Sequence, residues 1–392
     1  MAYKVTTTKS YGNRLTEALK GIAGGFIAFI IGTVILFWNE GNFVKTKKSI
    51  KEAEGALVIV DNVSNLDPSL SGNLIHASAF ANTEDILVDE MFGIQERAIS
   101  INRLVEYYQY VEKTHTEKRD KLGGGEETIT TYTYEKKWVT EPVPSGSFAD
   151  PDYQSANSVL KVIEPKAEYA QNVTFGAYML PAFMITQISG SIPLPANIEP
   201  EEGVHVSGNM VYIGQSSASP QIGDVRVTLT KVMPANISII GKVVSNTFEQ
   251  FRAKNGKTFS RVAMGTVSSE TMFAEAHQEN SAMTWMLRLF GILMVIGGLK
   301  MMFSIVPTLL KVLPFLGKIV EAGIALICIV GGGAWSIVII ALAWLFYRPL
   351  IGIPMLLVAG AGIWYLRKIA AEKKAAKAAL QPAETENVTG NE

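Results

Sequence analysis

GIAGGFIAFIIGTVILFW, residues 21–38, is a run of 18 residues without a charged side chain. At about 1.5 Å per helical residue it reaches nearly across the roughly 30 Å hydrocarbon core of a bilayer. A basic arm precedes it, with Lys4, Lys9, Arg14 and Lys20. Such an arm also suits a secretory leader, but a leader's apolar stretch is about 7–15 residues and ends at a small-x-small cleavage site. No such site follows Trp38. The reading is an uncleaved transmembrane helix.

Three further runs lie at the other end of the chain. Residues 283–303 are interrupted only by Arg288 and Lys300, near the ends. Residues 322–347 and 349–366 carry no charge, and Arg348 with Pro349 divides them, which predicts a tight helical hairpin. The expected fold class is therefore integral membrane: four transmembrane α-helices plus a large β-rich α+β extracytosolic domain. The expected order is a cytosolic arm 1–20, span 21–38, domain 39–282, span 283–303, amphipathic cytosolic loop 304–321, spans 322–347 and 349–366, and a basic then polar tail 367–392.

Charge supplies the orientation. Lysine and arginine favour the cytosolic flanks of membrane spans. The arm, the segment holding Lys300, Lys311 and Lys318, and the tail starting Arg367-Lys368 are basic, whereas the 347–349 turn carries only Arg348. Both termini are expected in the cytosol and residues 39–282 outside it, in the periplasm or extracellular space, or in the endoplasmic reticulum or nuclear-envelope lumen of a eukaryote. Trp38, Trp285, Trp344 and Tyr347 fall at the outer span ends, where amphipathic rings are favoured.

The overall net charge of −1 is a cancellation. Residues 39–282 hold 21 Lys/Arg and 30 Asp/Glu, a net of −9, and the remainder nets +8. Only 18% of the chain is charged, which excludes a disordered state. The single cysteine, Cys328, excludes disulfides within the chain and multi-cysteine metal centres.

The 244 residues of the domain read mainly as β. Residues 98–110 and 224–233 contain alternating stretches. Residues 128–139 follow the charged, glycine-rich 118–127, which predicts a long hairpin with a solvated tip. Asn255-Gly256 predicts a tight turn between 248–254 and 257–263. Ser71-Gly72-Asn73-Leu74 and Ser207-Gly208-Asn209-Met210 suggest two repeated modules, about 57–140 and 203–265. Helical stalks at 44–56 and 267–280, the latter capped by Ser268 or Ser269, would join the domain to the membrane.

Catalytic and cofactor motifs are missing from the sequence. His76, His115, His205 and His277 have no metal-ligand spacing. Gly256-Lys257-Thr258 lacks the earlier glycine of a phosphate loop, since Phe251 stands there, and reads as a hairpin turn. No catalytic, cofactor or metal residues are assigned. Glycosylation sequons begin at Asn62, Asn172 and Asn236 and matter only in a eukaryotic lumen.

The informative polar residues sit at the membrane border. Asn39 and Glu40 follow the first span, Arg288 lies near the outer end of the second, and Arg348 lies in the outer turn. Ionisable groups at that depth are costly unless paired or snorkelling. Glu40 is expected to pair with Arg348 or Arg288, while independent snorkelling and a polar catalytic pocket are the alternatives. Lys300, Lys311, Lys318, Arg367 and Lys368 are expected to face anionic lipid on the inner side. Glycines recur in the spans, at Gly21 and Gly25, Gly331–Gly333, and Gly360 with Gly362, and permit close helix contact.

Six segments spread along the chain resemble the LUMA family, transmembrane protein 43 and its relatives: FWNEG at 37–41, VEYYQYVE at 105–112, YTYEKKW at 132–138, IGDVRV at 222–227, TWMLR at 284–288 and WLFYRPL at 344–350. The resemblance implies a multi-pass protein with a large lumenal domain. In animals it implies an endoplasmic reticulum and inner nuclear membrane protein that associates with emerin and lamins. It carries no catalytic residues. The functional expectation is a membrane-organising scaffold whose outer domain binds protein or self-associates, with anionic lipid and no nucleic acid as further partners. The alternative is a membrane-embedded enzyme acting on a lipid or cell-envelope substrate near Glu40, Arg288 and Arg348. A transporter is disfavoured because the centres of the spans hold no ionisable residue.

Overall fold

The structure is a computed structural model that describes residues 2–199 and 201–350, together with 353, 354, 357 and 368. The expected fourth span at 349–366 and the tail at 367–392 lie almost wholly outside the described residues. Three described helices are long and apolar enough to cross a membrane.

The first helix runs unbroken from Tyr11 to Gly55. Ser10 caps it by accepting the Asn13 N–H, and no proline interrupts it, so its 45 residues extend about 68 Å. The expected span and the expected stalk are one rod. The second helix, Ser269–Phe303, is likewise a stalk and a span in one piece, capped by the Ser268 hydroxyl on the Thr271 N–H. A short helix, Ile305–Leu310, follows it. The third long helix, Pro314–Tyr347, starts with proline in its first turn, where the missing N–H costs nothing. The expected cytosolic loop at 304–321 is therefore mostly helical.

Glycines set how closely the first and second helices pack. A Cβ built on Gly25 would lie 2.6 Å from the Gly298 carbonyl oxygen, and one on Gly298 would lie 2.6 Å from that of Gly25. Further along, Gly32 meets Gly291, and Leu36 fills the space over Gly291. The third helix uses Gly332 against Ile296, while a Cβ on Gly331 or Gly333 would meet nothing within 4 Å among the described residues. Leu36, Val295 and Ile339 form the buried centre of the bundle. Ile27, Ile30, Ile31, Leu293, Ile327 and Ile337 are exposed on its outside, as a lipid-facing surface requires.

Two main sheets build the β-rich domain. One contains Arg261–Met264, Ala235–Val244, Thr247–Glu249, Tyr178–Met179, Val173–Phe175, Leu74–Thr83 and Leu57–Ile59. Its inner face holds Ile75, Phe175, Tyr178, Ile237, Ile239 and Phe248 in one core. A second core lies under the other sheet, around Val105, Tyr107, Val211, Val225 and Val227. A third joins domain to stalks, with Ile50 and Ala53 from the first helix and Met272, Phe273 and Ala276 from the second around Leu74 and Ile240.

The expected repeat is not confirmed. The strand after Asn73 is central in one sheet and pairs with Ala235–Val244. The strand after Asn209 belongs to the other sheet, where it closes a short hairpin with Val204–Ser207. The Asn255-Gly256 turn is also longer than expected, because the flanking ladder closes at Phe251↔Phe259 and Arg252↔Thr258.

The long hairpin is present, and its surroundings differ from expectation. Ser100–Asp120 and Glu126–Val139 pair from Tyr107↔Val139 to Asp120↔Glu126. The base pairs with Val225–Val232. Strand Tyr3–Lys9 from the N-terminal arm adds to the far part, from Tyr3↔Tyr132 to Lys9↔Glu126. The tip is not free in solvent. It rests on the start of the first helix and on the segment before Pro314, where the Gly123 N–H bonds the Val312 carbonyl at 3.2 Å. The expectation that tip and N-terminal arm lie apart, on opposite sides of a membrane, does not match this arrangement.

Candidate functional site

The polar border cluster forms because three helices bring one group each to the same level. Glu40 is fully buried on the first helix. Arg288 on the second helix grips it with two bonds, Nε to Oε1 at 2.6 Å and Nη2 to Oε2 at 2.9 Å. Trp344 on the third helix donates its indole N–H to Oε2 at 2.7 Å. The Arg288 guanidinium also lies 4.7 Å from the centre of the Trp285 ring, a cation–π arrangement that covers its outer face. Asn39 donates to the Thr284 carbonyl at 3.0 Å, while its Oδ1 is buried without a partner among the described residues.

Of the two partners expected for Glu40, the structure selects Arg288. Arg348 instead stacks over Phe43 at 4.5 Å, and its Nη2 is buried with no hydrogen-bond partner among the described residues. Gly41 completes the joint, since a Cβ there would fall 2.5 Å from the Tyr347 ring. Trp344 as a direct Glu40 ligand was missed by sequence reasoning, which took it for an interfacial ring. The available signal was that FWNEG, TWMLR and WLFYRPL all lie at one depth.

A second polar joint was missed altogether. Arg14, 7% exposed, reaches the hairpin tip. Its Nη1 donates to the Gly124 and Gly125 carbonyls at 3.0 and 3.1 Å, and its Nη2 bonds Asp120 at 2.8 Å. Glu126 lies 3.3 Å from the same nitrogen. Gly124 has φ +84°, and a Cβ there would strike the Tyr11 ring, so glycine is required on both counts.

Lys311, expected to face lipid, is drawn into this joint instead. It sits 2.9 Å from Glu321 and 3.9 Å from Asp120, with its side chain 14% exposed. Lys300, Lys318 and Lys368 are exposed, and Arg367 lies outside the described residues. Among the described residues no group of three or more His, Cys, Asp or Glu could hold a metal ion.

An apolar helix bundle sealed by a buried ion pair, with a β-rich domain carried on two of its helices, defines a transmembrane protein with an extramembrane domain. The family model for transmembrane protein 43 matches residues 107–349. The chain belongs to that family. It is 28% identical to transmembrane protein 43 of Rattus norvegicus and of Homo sapiens over 361 residues, covering 88% of this chain and 90% of each relative. A Drosophila melanogaster homolog is 27% identical over 359 residues, covering 94% of its own length. No solved structure matches.

Proposed function

We propose that this protein is a multi-pass membrane scaffold whose β-rich domain binds protein, or a second copy of the chain, beside the bilayer. The observation that carries the reading is the path of the long hairpin. From its base in the domain to Arg14, the hairpin must pass the apolar stretch of the first helix. The strands there are polar, with Lys113, Glu117, Lys118, Thr130 and Glu135 among their side chains. Unpaired strand edges and charged groups are not tolerated against lipid tails. The hairpin therefore needs protein or enclosed water along that face, and a partner or a second copy would supply it.

The state of Glu40 favours this reading over catalysis. It has no accessible surface, and both carboxylate oxygens are already bonded. A general acid or base needs a substrate within hydrogen-bond reach. The exposed Lys300 and Lys318 suit anionic headgroups at the other end of the bundle.

Crosslinking with mass spectrometry in native membranes tests the proposal. Lys113, Lys118 and Lys121 are expected to crosslink to another chain. If every crosslink from these lysines stays within one chain, the scaffold reading fails.

A further inference from the structure

A cavity of about 720 Å³ in the described protein is not used by the proposed scaffold role. It lies between the two stalks and the 256–261 turn, immediately outside the border cluster. We propose that it binds the polar head of a phosphate diester carrying free hydroxyls, a chemistry shared by polyol phospholipids and by their soluble headgroups.

Depth is the first argument. Asn42 and Thr46 line the cavity from the first helix, and Met283 lines it from the second. Thr46 stands six residues beyond Glu40, about 9 Å along the helix, and Met283 stands five residues before Arg288, about 7 Å. Headgroups occupy roughly 5–8 Å beyond the hydrocarbon on each side. The floor of the cavity is thus at headgroup level, and Met283 is half exposed there.

Charge is the second argument. The lining holds two cations, Lys257 and Arg261, and one carboxylate, Glu279. Arg261 is already committed to two carboxylates, Glu279 with bonds of 2.9 and 2.6 Å and Glu275 with one of 3.3 Å. Lys257 donates a single hydrogen to Asn42, at 2.8 Å, and keeps two for a ligand. Lys257 pairs with no carboxylate among the described residues, and its positive charge matches a diester phosphate, which carries one negative charge.

Chemistry of the walls is the third. Thr46, Ser260 and Gln250 line the cavity with side chains that make no hydrogen bond within the described protein. Hydroxyl and amide groups with free donors and acceptors suit a polyol better than the trimethylammonium of choline. The size also falls within the range of small-molecule sites.

The test uses the full-length protein, stripped of lipid in detergent, and native mass spectrometry. Phosphatidylglycerol should be retained over phosphatidylcholine by about tenfold, the scale of one charge-assisted hydrogen bond. Lys257→Gln should abolish the preference, Lys257→Arg should keep it, and Thr46→Trp should abolish it by filling the space without changing charge. Glycerophosphoglycerol, the same head without acyl chains, separates the sources. Competition by it alongside lipid preference supports a lipid ligand, and binding of it without lipid preference supports a solute. If neither probe binds selectively, or if Lys257→Gln and Thr46→Trp both leave binding unchanged, the proposal is wrong.

Discussion

Replacing Arg288 with methionine should damage the bundle more than any other single change at the membrane border. The substitution keeps an unbranched apolar stem but loses the guanidinium, and with it both hydrogen bonds to Glu40, at 2.6 and 2.9 Å. It leaves a carboxylate with no accessible surface held by one indole donor. Removing one partner of a buried ion pair costs about 3–5 kcal/mol, because the other charge stays desolvated. That is about a fifth or more of the roughly 5–15 kcal/mol that holds a typical protein folded. The converse change, Glu40→Gln, should cost about 1–2 kcal/mol. Glutamine can still accept from Arg288 and Trp344, and Arg288 is near enough to the surface for its charge to reach headgroups by snorkelling. The double variant should then be more stable than Arg288→Met alone. Unfolding of the purified protein in mixed micelles, followed by loss of helix signal, gives the three free energies. The pairing argument is refuted if Arg288→Met costs less than about 1 kcal/mol, or if adding Glu40→Gln makes it worse.

Four further outcomes follow from the same geometry. Thr7 and Thr128 are directly opposed in the ladder between arm and hairpin. Antiparallel partners have Cα atoms about 4.5–5.5 Å apart, so the Thr7→Cys/Thr128→Cys pair should form a disulfide under mild oxidation in native membranes, and labelling of the two cysteines from opposite sides would refute the pairing. Gly41→Ala should cost about 1–3 kcal/mol because its methyl meets the Tyr347 ring, whereas Gly331→Ala, with nothing within 4 Å among the described residues, should melt like the parent. On the alkaline side, burial and the bond to Glu112 push Tyr134 up to about 12. The unfolded phenol ionises near 10, so this contribution is complete below that pH and is lost as pH rises toward 12; Tyr134→Phe should flatten the fall in stability over that window. On the acid side, Arg261 holds Glu279 below its ordinary carboxylate value. Its contribution is present above that value and fades as pH falls through the lowered one, so Glu279→Gln should remove part of the acid loss seen in melting curves.

The parts of the fold that could be read from sequence share a physical feature, which is that their signal is local. Residues 21–38 state their environment by being uncharged over a membrane's width. The Ser268 cap and the two strands flanking Gly123–Gly125 likewise declare themselves within a few residues. The border cluster was half legible, because depth along each span put Glu40, Arg288 and Arg348 at one level. Depth does not give the rotation of a helix about its axis, so Arg288 and Arg348 could not be ranked, and Trp344 passed for an interfacial ring. The Arg14 joint gave no signal. Arg14 and Asp120 are 106 positions apart, and each sits in a stretch that reads equally well as solvated charge.

Taken together, the two joints show what the unbroken first helix is for mechanically. Its start is tied through Arg14 to the hairpin tip, and its middle is tied through Glu40 to the other two long helices. Its far end carries Ile50 and Ala53 into the core under the domain. The hairpin leaves that same domain and returns to the helix start, so helix and hairpin form a closed frame about 68 Å tall by the rise of a 45-residue helix. In a closed frame, a displacement at the base of the hairpin cannot be absorbed by one free end. It must strain the Arg14 joint or tilt the first helix against the Gly25–Gly298 crossing, where two backbones are already in contact. A partner seated on the hairpin would therefore act on the packing of the membrane helices without touching them.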